Sequence, residues 1–210
     1  PGWGSFKRND ILVFNFPYQM NRWDSVRMDV MQYYVKRCVA LPGDTLEIRG
    51  GFYKVRGCDE QLGNCDAQQY LANLKHPEQH GIVVGTFPYD KQIGWNIREF
   101  GPLPIPKKGQ TVMMNRTNCL LYRQLIGWEQ KKKLRIKDGQ IVLGDSVITQ
   151  YRFKKNYYFV SGDNMANSQD SRYWGMLPEE YIVGKAARVW YSEDKFTEKP
   201  RWDRIMKKIK

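Results

Sequence analysis

The chain has 210 residues, with 34 lysines and arginines against 22 aspartates and glutamates, a net charge of +12 and 41% hydrophobic residues. This length suffices for a sizeable core without disulfides or a metal, and an aromatic content of 14% argues against disorder. The longest apolar runs are far shorter than the ~18 residues of a membrane helix, and no signal peptide opens the chain. We therefore expect a soluble protein or a soluble fragment.

Hydrophobic residues with a period of two and turn signals dominate the chain, which predicts a mainly β fold with an antiparallel sheet. Residues Asp10 to Phe16 and Val35 to Leu41 are predicted strands. Leu46 to Val55 is predicted to form two short strands joined at Gly50-Gly51, because two glycines tolerate the positive backbone angles of a tight hairpin turn.

Helical patterns are sparse until the C-terminus. Asp66 to Leu74 is predicted as a short helix, and Arg135 to Val142 as a hairpin that turns at Asp138-Gly139. Strands are expected at Tyr157 to Val160 and at Ala186 to Tyr191. In the tail, four apolar residues recur at helical spacing beside many cations, namely Trp202, Ile205, Met206 and Ile209. Such a basic amphipathic segment is either a frayed or docked terminus or a contact with an anionic bilayer surface.

Prolines break the region from about 57 to 149 into pieces, and it has the loosest pattern of the chain. We therefore expect a discontinuous catalytic β core at 1–56 and 150–194, a β-rich inserted subdomain at 57–149 and a basic tail at 195–210.

A net charge of +12 is compatible with binding to nucleic acid, with binding to an anionic membrane, or with a role in solubility alone. No helix-turn-helix, RNA-binding aromatic signature or zinc-finger spacing is present, so no specific nucleic-acid partner is expected. The two histidines lie in a polar loop, so no metal site is expected. Cys58 and Cys65 could close a small disulfide in an oxidising compartment, and the sequence leaves this open.

The strand around Lys36 carries the first chemical signal. Alternation along a strand puts Tyr34, Lys36, Cys38 and Ala40 on one face and turns Arg37 to the other. Among such apolar and small neighbours a lysine loses hydration, which lowers its pKa toward the range of a general base. The alternative is that only the aliphatic stem of Lys36 is buried and its amine stays in water.

Residues 160–175 carry the second signal, because Ser, Asp and Asn side chains that hydrogen-bond nearby backbone predict an ordered loop. Asp170 and Arg172 are close enough to pair there. By itself this segment is equally compatible with a structural connection.

Taken together the two segments are far more specific. Lys36-Arg37 in a strand, then Leu-Pro-Gly-Asp at 41–44 and, much later, Gly-Asp-Asn at 162–164 followed by Ser168 and Asp-Ser-Arg-Tyr-Trp-Gly at 170–175 resemble the type I signal peptidases. Residues 8–14 and 183–186 add supporting matches. The resemblance covers roughly 6–56 and 151–192.

The resemblance implies a membrane-anchored endopeptidase of bacteria that removes signal peptides from exported preproteins on the outer face of the cytoplasmic membrane, without a cofactor or a metal. Residue by residue, it implies Lys36 as general base and Ser168 as the hydroxyl that orients it, with Gly162 leaving room beside the amine. Asp163 would pair with Arg37, and Asp170 with Arg172. Tyr34 and Val35 would lie where the substrate strand packs. An anionic membrane surface is the further partner expected.

The family's serine nucleophile stands in a Ser-Met-x-Pro segment, and none of the seven serines of the chain has that context. Nucleophile and base act as a unit, so we expect a fragment with little or no peptidase activity of its own. Two alternatives remain. One is a self-cleaving repressor-type serine and lysine protease, and the other is a non-catalytic basic β protein that binds acidic partners.

Overall fold

A computed structural model describes residues 5–19, 25–194 and 197–209. The fold is mainly β, and its strands form antiparallel sheets with few helices. The strands are β1 (Ile11–Phe16), β2 (Asp29–Ala40), β3 (Thr45–Arg49), β4 (Phe52–Val55), β5 (Phe100–Pro104), β6 (Thr111–Met113), β7 (Leu134–Lys137), β8 (Gln140–Leu143), β9 (Ser146–Val147), β10 (Gln150–Arg152), β11 (Tyr157–Ser161), β12 (Leu177–Pro178) and β13 (Ile182–Lys185). The α-helices are α1 (Cys65–Asn73), α2 (Arg116–Gln130) and α3 (Ser171–Trp174), and short 3₁₀ turns cover Pro77–His80, Met165–Asn167 and Glu179–Tyr181.

The largest sheet has the strand order β12-β11-β2-β1-β13, with β2 at its centre. Leu12 of β1 lies opposite Lys36 of β2, and Val160 of β11 lies opposite Cys38. This order brings two parts of the chain that are more than a hundred residues apart onto neighbouring strands. The loop that leaves β11 therefore starts beside the middle of β2.

One face of this sheet is buried by aromatic side chains. Along β1 the residues alternate between partly exposed and buried, so that Leu12, Phe14 and Phe16 point into the core. The ring of Trp174 at the end of α3 packs against Phe14 and Phe16 with centroid distances of 6.2 and 6.0 Å. Burial of large aromatic rings is worth about 1.5–3 kcal/mol each, so these contacts tie the 160–175 segment to the sheet.

The strands predicted at 10–16 and 35–41 are present as β1 and within β2, and both predicted hairpins form. The β3–β4 hairpin turns at Gly50 and Gly51, whose φ angles of 57° and 90° suit glycine. The β7–β8 hairpin turns at Asp138 and Gly139, with φ angles of 50° and 75°, as a primed turn requires. The helix predicted at 66–74 is present as α1, which begins after the cap Asn64.

Between residues 57 and 149, β5 joins β3 and β4 in one sheet, and β6 pairs with β10. Helix α2 contacts β7 and is held to the strand region by Glu129, whose carboxylate accepts hydrogen bonds from the hydroxyls of Tyr151 and Tyr157. The division into a core at 1–56 and 150–194, an insert at 57–149 and a tail at 195–210 stays a proposal.

Helix α2 is the largest element that the sequence analysis missed. Its N-terminus is capped by Asn115, whose side chain accepts a hydrogen bond from the backbone N–H of Asn118. Its buried residues follow a helical spacing, at Cys119, Leu121, Tyr122, Leu125 and Ile126. Both the cap residue and the helical spacing of the apolar residues are readable from the sequence.

Two expectations for the C-terminal part are wrong. No strand forms over Ala186 to Tyr191, because the pairing of β13 with β1 ends where the Ala186 N–H reaches the Ile11 carbonyl. The spacing of Trp202, Ile205, Met206 and Ile209 does not form a helix either. Residues 197–209 instead fold back along 187–194 through isolated antiparallel bridges at Arg188–Lys208 and Glu193–Pro200. Of the predicted basic tail, residues 195, 196 and 210 lie outside the described residues.

The four cysteines, Cys38, Cys58, Cys65 and Cys119, are free thiols in the structure. Among residues 5–19, 25–194 and 197–209, no helix is both long enough and apolar enough to cross a membrane.

Candidate active site

The centre of the site is a hydrogen bond between Lys36 on β2 and Ser168 in the loop after β11. The Nζ of Lys36 donates to the Oγ of Ser168 at 2.8 Å, across 132 residues of sequence. The strand alternation predicted for β2 is observed, since Tyr33 and Val35 are exposed while Lys36 is only partly accessible and Cys38 is buried. Lys36 and Ser168, which the resemblance brought together by motif alone, are therefore in direct contact.

The environment of Lys36 shifts the pKa of its amine downward. Burial lowers the pKa of Lys36 below its ordinary value of 10.5, and the positive charge of Arg172 lowers it further, while Asp170 acts in the opposite direction. The amine lies 5.6 Å from the centroid of the Tyr34 ring, and this contact favours the charged amine, in the opposite direction to burial. Lys36 is therefore a partly buried amine with a lowered pKa that donates a hydrogen bond to a hydroxyl.

A buried ion pair fixes the loop that carries Ser168. Arg172 donates from Nε and Nη2 to the two carboxylate oxygens of Asp170 at 2.9 and 2.8 Å, and both side chains are fully buried. Asp170 also accepts the backbone N–H groups of Gly162 and Arg172, so it joins both ends of the loop. A second donation from Arg172 Nη2 reaches the carbonyl of Met165 at 3.0 Å.

The charges in this pair stabilise each other. Burial alone would raise the pKa of Asp170, but the charge and hydrogen bonds of Arg172 and the two backbone N–H groups hold it below its usual range. Burial likewise acts to lower the pKa of Arg172, and Asp170 raises it above its ordinary value. Both groups are therefore ionised, and the net charge buried behind Ser168 is close to zero.

Gly162 leaves the space that the lysine and serine occupy. A Cβ atom built on Gly162 would lie 2.0 Å from the Oγ and 2.7 Å from the Cβ of Ser168, and 3.3 Å from the Nζ of Lys36. No side chain larger than hydrogen fits here unless Ser168 moves. The position next to the motif loop therefore requires glycine for reasons of space.

Arg37 and Asp163 form the second ion pair that the resemblance implies. Arg37 donates from Nε and Nη2 to the two oxygens of Asp163 at 2.8 and 2.7 Å, and from Nη1 to the carbonyl of Asn9. The hydrogen bond to Asp163 raises the pKa of Arg37 despite partial burial. Because Asp163 is half exposed, this pair is a weaker clamp than the buried one.

Tyr34 and Val35, the two expected substrate-contacting residues, lie on opposite faces of β2. The Tyr34 ring stacks on Phe16 with centroids 4.6 Å apart and is half-buried, whereas Val35 is 56% exposed. The structure brings Tyr34 to the face that carries Lys36, and it turns Val35 to the other face.

Tyr53 and Ser161 also support the site, and the sequence analysis did not find them. The hydroxyls of Tyr53 and Ser161 are hydrogen-bonded at 2.6 Å in the interior, and Ser161 lies 3.4 Å from an oxygen of Asp170. Ser161 is adjacent to Gly162, so its place in sequence was a usable signal. Nothing in the sequence indicated that Tyr53 of β4 would reach it.

The comparisons with known proteins agree on one family. Residues 1–191 match the family model described as signal peptidase, peptidase S26. A signal peptidase I of Buchnera aphidicola subsp. Acyrthosiphon pisum is 58% identical over 197 residues, which are 90% of this chain and 55% of that protein. A signal peptidase I of Aquifex aeolicus is 50% identical over 188 residues, covering 88% of this chain and 63% of the relative.

A crystal structure of a signal peptidase I from Enterococcus faecalis aligns with a TM-score of 0.41 at 19% identity, covering 88% of this chain and 99% of that one. The chain spans about half the length of the first curated relatives it matches, at 55% of each.

Proposed function

The chain belongs to the signal peptidase family, peptidase S26, and we propose from this that the whole protein is a bacterial serine endopeptidase that cleaves signal peptides from exported preproteins. The observation that supports the chemistry best is the 2.8 Å hydrogen bond between Lys36 and Ser168 in a setting that lowers the pKa of the lysine. The match over 1–191 favours this function over a repressor-type self-cleaving protease and over a non-catalytic basic protein.

In the proposed mechanism, neutral Lys36 removes the hydroxyl proton of a serine nucleophile as the serine oxygen attacks the scissile carbonyl. The protonated amine then gives this proton to the leaving amine of the mature protein. Lys36 then takes a proton from the water that attacks the acyl-enzyme carbonyl, the bond from this carbon to the serine oxygen breaks, and the proton returns to the serine oxygen as the signal peptide leaves with a free carboxyl group. Ser168 holds the amine in line for each transfer, because its Oγ accepts one of the amine's protons.

Supporting roles are proposed for the remaining site residues. The ion pair of Asp170 and Arg172 keeps the loop of Ser168 in place, and Gly162 leaves room for the hydroxyl. The pair of Arg37 and Asp163 joins β2 to the start of the same loop. Tyr34, on the face of β2 that carries Lys36, and Val35, on the opposite face, stay proposed as contacts of the signal peptide.

The proposed location is the cytoplasmic membrane, with the catalytic domain on its extracytoplasmic face. The support for contact with an anionic bilayer is chemical. Trp190 and Trp202 are 80% and 78% exposed, and they lie in a C-terminal part rich in lysine and arginine.

The 210 residues of the chain hold seven serines, none of them in a Ser-Met-x-Pro segment. We therefore propose that these 210 residues by themselves have little or no peptidase activity. Added to a preprotein substrate, the 210-residue chain should leave the signal peptide attached.

The decisive experiment replaces Lys36 in the whole protein and measures cleavage of a preprotein. Lys36→Ala should lower the rate by about 10³-fold or more, since it removes the base that acts together with the nucleophile. The matched control is Lys54→Ala on the exposed face of β4, which should cleave normally. Substantial activity of a folded Lys36→Ala protein would exclude the mechanism. Steeply salt-dependent DNA binding that is unchanged by substitution of Lys36 would favour the non-catalytic alternative.

A further inference from the structure

Two adjoining cavities lie along α2, and neither Lys36 nor Ser168 lines them. One has a volume of about 350 Å³ and is walled by Phe87, Pro88, Tyr89, Leu120, Tyr173 and Trp174. The other has a volume of about 470 Å³ and is lined mainly by the end of α2 and the start of β7. Arg123 and Gln124 line both cavities. The two therefore share a border, and we call them together the α2 trough.

The second cavity is strongly basic. Among the described residues, five cations and no carboxylate line this cavity; the cations are Arg123, Lys131, Lys132, Lys133 and Arg135. All five are exposed, and none of them takes part in the salt bridges found among the described residues. Five close cations repel one another, so an anionic group placed between them would be attracted.

Glu129, the one carboxylate of α2, is engaged elsewhere, because it accepts hydrogen bonds from the hydroxyls of Tyr151 and Tyr157. Asp138 and Asp145, the next carboxylates along the chain, do not line the cavity. The helix dipole explains cations just past the end of α2, but it does not explain Arg123 in the body of the helix or Arg135 on β7. The concentration of charge therefore exceeds what the helix end needs.

The lysines stand on an ordered turn. The backbone N–H groups of Lys131 and Lys132 both donate to the carbonyl of Gly127, and the carbonyl of Lys133 accepts from Gly144. A Cβ built on Gly144 would lie 3.2 Å from the side chain of Lys132, so that stem is packed as well. Cations held by a fixed backbone lose less entropy on binding than cations on a mobile loop.

The other end of the trough is apolar and recessed. Phe87, Tyr173 and Trp174 are 6%, 8% and 1% exposed, so these rings form walls and a floor, not protrusions. The Nε1 of Trp174 is a buried donor without a hydrogen-bond partner among the described residues. A volume of about 350 Å³ accepts a large apolar side chain.

We propose that the α2 trough binds a peptide segment in which acidic residues stand next to a large apolar residue. The apolar side chain occupies the aromatic cavity, and the carboxylates lie among the cations that follow α2. This binding site is separate from the proposed cleavage of signal peptides and does not depend on it. Charge complementarity and the border shared by the two cavities carry the assignment.

A peptide fits the trough better than a lipid bilayer does. A bilayer presents a broad surface, and proteins enter it with protruding aromatic and basic side chains. The aromatic rings here are recessed, and only Tyr89 at the rim is largely exposed, at 57%. A side chain on an extended backbone can enter such a recess while neighbouring carboxylates reach the cations.

The test measures binding of a short fluorescein-labelled peptide, with several glutamates beside a leucine and a phenylalanine, to the 210-residue chain by fluorescence anisotropy. The double variant Arg123→Glu with Lys132→Glu should weaken binding by at least about tenfold. Lys107→Glu with Lys108→Glu is the matched control, because it changes net charge equally at two exposed lysines outside the trough. Tyr89→Ala should weaken binding of the same peptide at the apolar end, without a change in charge.

Peptide composition gives the second arm. Replacing the glutamates by glutamines, or the leucine and phenylalanine by serines, should each weaken binding, and inorganic phosphate should compete poorly. Equal binding by both double variants, or by all three peptides, would overturn the proposal. So would vesicles of phosphatidylglycerol that bind through Arg123 and Lys132 while the acidic peptide does not bind. Thermal unfolding of each variant shows whether it is folded.

Discussion

Gly162 offers the sharpest test of the site's geometry, through the substitution Gly162→Ala. The added methyl group would lie 2.0 Å from the Oγ of Ser168 and 2.7 Å from its Cβ, and both distances are far below van der Waals contact. The φ angle of Gly162 is not in the left-handed region, so alanine meets no backbone penalty there. The conflict is one of space alone, and Ser168 has to move.

The magnitude follows from two effects. Forcing a methyl group into a packed site costs about 1–3 kcal/mol, and losing the hydrogen bond between Lys36 and Ser168 costs about 1 kcal/mol more. The free energy of unfolding should therefore fall by about 2–4 kcal/mol, a large share of the ~5–15 kcal/mol typical of a domain. Urea unfolding of the 210-residue chain measures it.

Gly184 on β13 supplies the matched control. A Cβ atom there meets nothing within 4 Å, and its φ angle is also outside the left-handed region. Gly184→Ala should change the free energy of unfolding by less than about 0.5 kcal/mol. The contrast between two glycines of the same sheet region isolates the steric conflict with Ser168.

A rescue variant tests the cause. Ser168→Gly removes both atoms with which the new methyl group collides, so the double variant with Gly162→Ala should be more stable than the sum of the two single effects predicts, by at least about 1 kcal/mol. If Gly162→Ala is as stable as the Gly184→Ala control, or if the two effects simply add, the close packing of Gly162 against Ser168 is wrong.

The remaining predictions concern the charges behind Ser168 and the amine of Lys36. Asp170→Asn leaves Arg172 buried without its counter-charge, so urea unfolding should show that the free energy of unfolding falls by about 3–5 kcal/mol. Asp163→Asn, in the half-exposed pair, should lower it by at most about 1 kcal/mol. Because the pKa of Asp170 lies below its ordinary 3.8, its stabilisation is present above that pH and fades as the pH falls through the lowered value; an acid profile identical in Asp170→Asn would contradict this. NMR should show that the amine of Lys36 titrates below 10.5. Its pKa should be lower still in Asp170→Asn, because that variant removes the carboxylate that raises the pKa and leaves the positive charge of Arg172. An unchanged or higher pKa in Asp170→Asn would refute these causes of the shift. In the whole protein, cleavage should accordingly rise with pH through the titration of Lys36.

Local patterns in the sequence were sufficient for much of the β framework. Alternation along 35–41 predicted which face of β2 carries Lys36, and the pairs Gly50-Gly51 and Asp138-Gly139 predicted both hairpin turns. These features depend on neighbours along the chain, so they survive without knowledge of the fold. The same kind of reasoning failed at residues 197–209, where a helical spacing of apolar residues exists but the chain pairs with 187–194 instead.

The sequence by itself determined the family resemblance, the candidate residues and the strand that holds Lys36, because motif spacing and alternation are properties of the chain. Only the tertiary structure decided which distant groups meet. The contact of Tyr53 with Ser161, the clash that excludes a side chain at Gly162 and the shared border of the two cavities along α2 all join segments far apart in sequence. Such contacts depend on how the sheets and α2 pack together, and side-chain packing is cooperative over the whole core, so no local pattern encodes them.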